Sequence, residues 1–172
     1  MSERVIKCNL SQKSIGNAIK ELKAYQNSLR DKNEVFLKRL CELGIPVIDE
    51  NIMLAQGDSD KSHNTYIKIN RFGNYAQATL VCEGTDLNFI EFGAGIHYNT
   101  PAGTSPHPKG EEFGYTIGSY GQGKGKNESW VYVANSGEWV RSYGTEATMP
   151  VYKASVEIMQ NIRRIAKEVF SA

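Results

Sequence analysis

The sequence predicts an α+β fold: an antiparallel β-sheet of two hairpins packed by a long N-terminal helix and a C-terminal helix, with a long Gly-rich loop between the hairpins. Three observations predict it. An apolar repeat of seven residues runs through the first quarter of the chain, two pairs of alternating segments fill the middle, and a 3–4-residue apolar repeat closes it. At 172 residues the chain fits one domain, 1–172, which can bury a full core without disulfide or metal staples.

Over 11–44, Ile15, Leu22, Leu29, Phe36 and Leu43 recur every seven residues, and Ala18, Ile19, Tyr25, Leu37 and Leu40 widen the stripe. That is the pattern of an amphipathic helix. Ser11 or Ser14 is the expected cap, and Gly44 followed by Pro46 the expected stop. Unbroken, such a helix reaches roughly 50 Å. A break at Asp31-Lys32-Asn33, where the stripe turns polar, is the alternative. The helix either packs wholly on the core or lends part of its face to another subunit.

Residues 53–64 read as a mobile polar loop. Within 65–95, Thr65–Arg71 and Tyr75–Glu83 alternate apolar and polar residues about a turn at Phe72-Gly73-Asn74, a β-hairpin signal. Over 130–143 a second pair, Trp130–Ala134 and Trp139–Tyr143, flanks the turn Asn135-Ser136-Gly137-Glu138. Over 148–170, Thr148 is the expected N-cap and Pro150 suits the first turn. Val151, Ala154, Ile158, Ile162, Ile165 and Val169 mark one face, while Arg163, Arg164 and Lys167 complement the helix dipole.

The segment 96–129 is rich in glycine and carries Tyr98, Phe113, Tyr115 and Tyr120. Loops of this length are functional or disordered. The four aromatics predict a loop that orders against a neighbour, with these residues at an oligomer interface.

Composition is that of a soluble globular protein, with 40% apolar and 23% charged residues. Net charge is +1, which argues against a dedicated, sequence-specific nucleic-acid binder. The charge is segregated: residues 1–44 hold nine basic against five acidic side chains, and 45–95 hold three against seven. A subunit basic at one end and acidic at the other suits head-to-tail contact between copies. The N-terminus lacks a secretion signal and no run is long enough to span a membrane, so cytoplasmic synthesis is expected. Cys8, Cys41 and Cys82 form no CxxC pair and are expected as buried thiols.

Candidate chemistry is sparse. Gly118–Gly125 with Lys124 lacks the ending and flanking elements of a phosphate loop. His63, His97 and His107 share no ligand spacing, although His107 lies near Glu111 and Glu112. Asp58-Ser59-Asp60 is a fragment of a calcium loop. Trp130, Tyr132, Trp139 and Arg141 are a candidate base-stacking set, more commonly cross-strand packing. No catalytic residue, cofactor or metal is expected, and the chain is not expected to be an enzyme.

Two stretches carry a resemblance. One is Phe89-Ile90-Glu91-Phe92-Gly93-Ala94-Gly95. The other is Gly144-Thr145-Glu146-Ala147-Thr148-Met149-Pro150-Val151-Tyr152-Lys153-Ala154, which leads into the last helix. In this order, with the long first helix, they resemble the gene-product-ten family of phage Hong Kong 97. Those are tail-component proteins tied to tail completion and head–tail joining. The run Tyr115-Thr116-Ile117-Gly118-Ser119-Tyr120-Gly121 resembles versions carried by prophages of Gram-positive bacteria, some with contractile tails. The resemblance implies a virion or tail-particle protein that forms an oligomeric, six-fold ring in the neck. Its partners would be neighbouring neck, tail-terminator or tail-tube proteins. Glu91, Phe92, Gly93, Gly95, Gly144, Ala147 and Pro150 would be structural motif residues. The alternatives are a tail terminator or head-side connector and, from a different class, a hydrolase using His107, Glu111 or Glu112.

Overall fold

The structure is a computed structural model that describes residues 5–73, 75–99, 105–115, 126–134 and 136–171. Tyr120, the Gly118–Gly125 run and the turn residues Asn74 and Asn135 lie outside them. The order of elements is α1 (Gln12–Leu54), β1 (Asn64–Phe72), β2 (Tyr75–Glu83), α2 (Leu87–Phe92), β3 (Trp130–Val133), β4 (Trp139–Ser142) and α3 (Pro150–Phe170). The α+β class is as the sequence predicts.

Helix α1 begins at Ser11, whose hydroxyl accepts a hydrogen bond from Ser14 N at 3.3 Å. It runs unbroken for 43 residues, about 65 Å. The expected stop at Gly44–Pro46 is wrong, because Pro46 lies inside the helix. A proline in a helix interior costs about 3 kcal/mol. The turns beyond it carry Ile48 and Ile52, which are 1% and 0% exposed. Burying two such side chains stabilises by about 1.5–3 kcal/mol each, so the core outweighs the proline. Nor does the helix break at Asp31-Lys32-Asn33. Arg30 Nη2 donates to Gly73 O at 2.8 Å, and Arg71 pairs with Glu34, so the tip of the first hairpin braces this stretch.

Helix α3 returns antiparallel along the second half of α1. Lys153 Nζ reaches Asn51 Oδ1 at 2.7 Å, and at the other end the Phe36 and Phe170 rings lie 5.7 Å apart. Two apolar clusters fill the interface, one around Ile48, Ile52, Ala55, Ile90 and Ala154, the other around Leu40, Ile165 and Val169. The expected α3 face is buried at Ala154, Ile165 and Val169, but Val151 and Ile162 at its edges are exposed. Gly44 sits where α1 packs tightly on its neighbours. A Cβ there would stand 2.5 Å from Leu80 Cδ2 and 3.1 Å from Ile158 Cδ1.

In the first hairpin Thr65 faces Cys82, Ile67 faces Leu80 and Ile69 faces Ala78, the alternation read from sequence. Leu80 and Cys82 pack on the upper cluster. The two hairpins, expected in one sheet, form separate two-stranded sheets. Outside the sheets, single β-bridges join Gly57 and Ala94 to Thr145. The cysteines are free, and Cys8 is exposed rather than buried. Burial raises the Cys41 thiol pKa, with help from the neighbouring Glu42 charge.

Candidate functional site

The two motifs, about fifty residues apart in sequence, meet in space. The first forms the end of the six-residue helix α2 and its exit. Its last turn buries Ile90, Glu91 and Phe92, and Gly93 closes it by donating its N–H to Phe89 O at 2.9 Å. Ala94 then pairs with Thr145 through both backbone bonds, at 2.9 and 2.8 Å.

Gly144 can be nothing but glycine. Its φ is +89°, and a Cβ would fall 2.0 Å from Ala94 O. Gly95, at φ +72°, lies under the Trp130 ring, which a Cβ would approach to 2.7 Å.

Asn99 fastens this crossing. Its buried side-chain amide donates to Thr145 O at 2.6 Å and lies within 3.3 Å of Ala94 O and Gly95 O, while Oδ1 accepts from Ala147 N at 2.9 Å. Asn99 carries no sequence signal. It sits in a loop among other polar residues, and only its two distant partners, Thr145 and Ala147, distinguish it.

Helix α3 starts at Pro150, fully buried in its first turn. Thr148 is not its cap. That position is Met149, at φ 55° with no side-chain cap bond. Thr148 instead donates its hydroxyl to Asn51 O at 2.7 Å and its N–H to Ile90 O at 3.0 Å. The capping group comes from α2. Glu91 Oε2 accepts from Val151 N at 2.8 Å and Oε1 accepts from Tyr152 N at 2.9 Å. A carboxylate here satisfies orphan donors and meets the positive end of the helix dipole.

The same carboxylate binds His107. Nε2 lies 3.0 Å from Glu91 Oε1, and Nδ1 accepts from Lys109 N at 3.0 Å. With Nδ1 an acceptor, the ring proton sits on Nε2 and points at Glu91. Both residues are 7% exposed. Every hydrogen-bonding atom of the pair is therefore engaged inside the fold, which is the arrangement of a fastener rather than of a poised acid and base. Glu111 and Glu112 are exposed.

Segment 105–115 docks on Phe92. Its ring stacks on Tyr115 at 3.9 Å, meets His107 at 4.6 Å and the edge of Phe113 at 6.0 Å, and Ser105 donates its hydroxyl to Phe92 O. Of the aromatics expected at an interface, Tyr115 is thus half-buried on its own chain and Phe113 remains exposed. Tyr98 is half-buried beside His97, which also meets Tyr143.

The remaining candidates are tied locally. His63 lies between Lys61 O and Asp49 Oδ1, at 2.7 and 3.1 Å. Asp58 Oδ2 accepts from Tyr143 N at 2.7 Å, and Asp60 Oδ1 accepts from Ser62 N at 2.8 Å, so the calcium-loop fragment folds as a loop fastener. Among the described residues no group of His, Cys, Asp or Glu is placed to hold a metal, and no helix is long and apolar enough to cross a membrane. The second hairpin splits the base-stacking set. Trp130 and Tyr132 share one face with Val140 and Ser142, while Trp139 and Arg141 lie on the other with Val131 and Val133. No single stacking platform results.

What the surface does offer is unpaired apolar area. Every residue from 19 to 28 of α1 is exposed. Ile15, Ile19, Leu22 and Tyr25 form a stripe at this end of the helix that no described residue covers, and Trp139 stands 76% exposed on the outer hairpin face. Comparison with known proteins finds no match to a family model, a curated protein or a solved structure.

Proposed function

We propose that this chain is a structural subunit of a tailed-phage particle or a prophage-derived tail. It is built into an oligomeric ring at the head-proximal end of the tail, where the tail is completed and joined to the head. The observation that carries this reading is the projecting first half of α1, whose apolar stripe has no partner among the described residues. A helix with an unpaired apolar stripe marks a surface made to be covered by another molecule. The order of the two motifs supports the same reading through their resemblance to the phage tail-component family. Their meeting in space gives those residues a shared structural task. The buried Glu91–His107 pair, with all its hydrogen bonds internal, favours a scaffold over a catalyst.

The test is the particle itself. Electron microscopy and crosslinking of purified particles from a strain carrying the gene should place the chain in a ring between head and tail, six copies being expected from tail symmetry. Density at the tail-tube terminus or on the portal side would instead make it a terminator or a head-side connector. Absence from mature particles overturns the proposal.

A further inference from the structure

The apolar face of α1 is one continuous seam. Ile15, Leu22, Leu29, Phe36 and Leu43 recur every seven residues, and Ile19 and Leu40 follow Ile15 and Phe36 by four. From Phe36 onward α3 covers this face: Leu40 is buried against Ile165 and Val169, with Phe36 and Leu43 packed beside them. Helix α3 ends at Phe170, whose ring lies 5.7 Å from that of Phe36. Towards the start of α1 the seam runs on for about twenty residues, roughly 30 Å of helix. There Ile15, Ile19, Leu22 and Tyr25 are between 42% and 55% exposed.

The geometry of the seam selects what covers it. The open stretch lies in line with α3, so a helix running in the direction of α3, antiparallel to α1, extends a packing already present. The C-terminal end of α3 then meets the N-terminal end of the added helix, and their dipoles align head to tail. The arm of a second copy has the length and the stripe to be that helix, and it fits in one direction only. Helix α1 is unbroken to Leu54. Laid parallel, the second α1 would run past Phe36 into the space that α3 holds, or carry its own α3 into the first arm. Laid antiparallel, it runs off beyond Gln12 and meets neither.

One register matches the two arms. With Ile19 level with Leu22 of the partner, Leu22 is level with the partner's Ile19. Tyr25 then falls beside the partner's Ala18, and Lys23 beside the partner's Gly16, so large side chains meet small ones on both edges. Gly16 has no such neighbour at home. Nothing stands within 4 Å of where its Cβ would lie, and it sits inside a regular helix. Charge has no part in the choice: Lys13 and Lys20 lie on the far side of the helix, and Glu21 and Lys23 flank the stripe one on each side.

We propose that two copies pair antiparallel through their α1 arms, with Ile19 of each seated against Leu22 of the other. Such a contact closes on itself and adds no third copy. It is therefore not the ring contact and goes beyond the proposed particle role: it describes the free chain, whose arm is covered before assembly.

Two experiments on the full chain test it. Ile15 falls level with the partner's Gln26 in this register. In a Cys8→Ser background, chains carrying Ile15→Cys and chains carrying Gln26→Cys are mixed and mildly oxidised. The mixed disulfide should exceed either homodimer at least ten-fold. Homodimers as abundant as the mixed species overturn the proposal, as does crosslinking no greater than in the background. In sedimentation the wild-type chain should be dimeric, and Leu22→Asp should weaken the pairing at least ten-fold while the thermal transition of the core stays in place. Because the contact is apolar, raising salt from about 0.15 M to about 1 M should not weaken it. A wild-type chain monomeric at its highest soluble concentration, a Leu22→Asp chain that pairs as wild type does, or a pairing lost in salt overturns the proposal. Particle incorporation is a separate readout. A monomeric chain found in particles sinks the pair and leaves the virion role standing, and a dimeric chain missing from particles does the reverse.

Discussion

Glu91 and His107 sit 3.0 Å apart in the interior, and the carboxylate that holds the imidazole also caps α3 through Val151 N and Tyr152 N. One side chain thereby joins α2, the segment 105–115 and the last helix. Its loss is felt in all three.

Replacing Glu91 with alanine removes a helix cap and leaves a buried histidine and two backbone donors without an acceptor. The expected cost is about 3 kcal/mol. For a chain of this size that lowers the melting temperature by about 6–12 °C. Urea unfolding followed by circular dichroism measures it, and a loss below about 1 kcal/mol contradicts the capping role.

His107→Ala removes the anchor of segment 105–115 but leaves Glu91 on the helix end. Limited proteolysis within 105–115 should accelerate about ten-fold, the equivalent of about 1.4 kcal/mol of lost docking. Helical content should not change. Combined with Glu91→Ala in a double-mutant cycle, the pair should couple by about 1–3 kcal/mol.

Pro46 and Gly44 predict opposite outcomes two residues apart. Pro46→Ala restores an N–H at an exposed site in α1 and should stabilise by about 1–3 kcal/mol. Gly44→Leu forces a large side chain against Leu80 and Ile158 and should destabilise by about 1–3 kcal/mol or more. Chemical denaturation of the two variants checks both signs. A destabilising Pro46→Ala would mean that the proline sets a bend the fold requires.

Glu168 links α3 to α1 across the surface. Hydrogen bonds from Arg39 at 2.5 Å and Arg164 at 2.9 Å, then their charges, hold its carboxyl pKa below the usual glutamate value. A depressed folded-state pKa means the contribution is complete above the unfolded value of about 4.3 and is lost as pH falls through the folded value. The stability difference between wild type and Glu168→Gln should therefore hold from about pH 7 to 5 and shrink below about pH 4. The side chain is exposed, so added salt should shrink it as well. Denaturant midpoints across this range test it; a difference that widened on acidification would reverse the sign.

Periodicity made the long and regular parts legible. The seven-residue stripe from Ile15 to Leu43 located α1, and the alternation Ile67, Ile69, Leu80, Cys82 gave the first hairpin its inner face. Helix α2 was not legible because six residues hold less than two turns, too few for an apolar repeat to declare itself. The extension of α1 past Pro46 was hidden because a local breaker signal says nothing of the core that Ile48 and Ile52 join. The candidate site fared differently. Its motifs announced that Glu91 and Pro150 matter, but not that Glu91 caps the helix that Pro150 begins. That pairing crosses some sixty residues of chain and the Ala94–Thr145 bridge some fifty, and neither is written in local patterns.

The antiparallel seating of α3 on the second half of α1 has a consequence for biosynthesis. Helix α1 finds much of its cover in residues more than a hundred positions further on, so Leu40 stays open to water until Ile165 and Val169 have left the ribosome, and Ile48 and Ile52 until Ile90 and Ala154 have done so. Contacts of such long sequence separation form late and slowly, and the core of this chain waits on its final helix. Truncating the final turns would leave a sticky nascent rod, a substrate for chaperones and proteases before it is a part of anything larger.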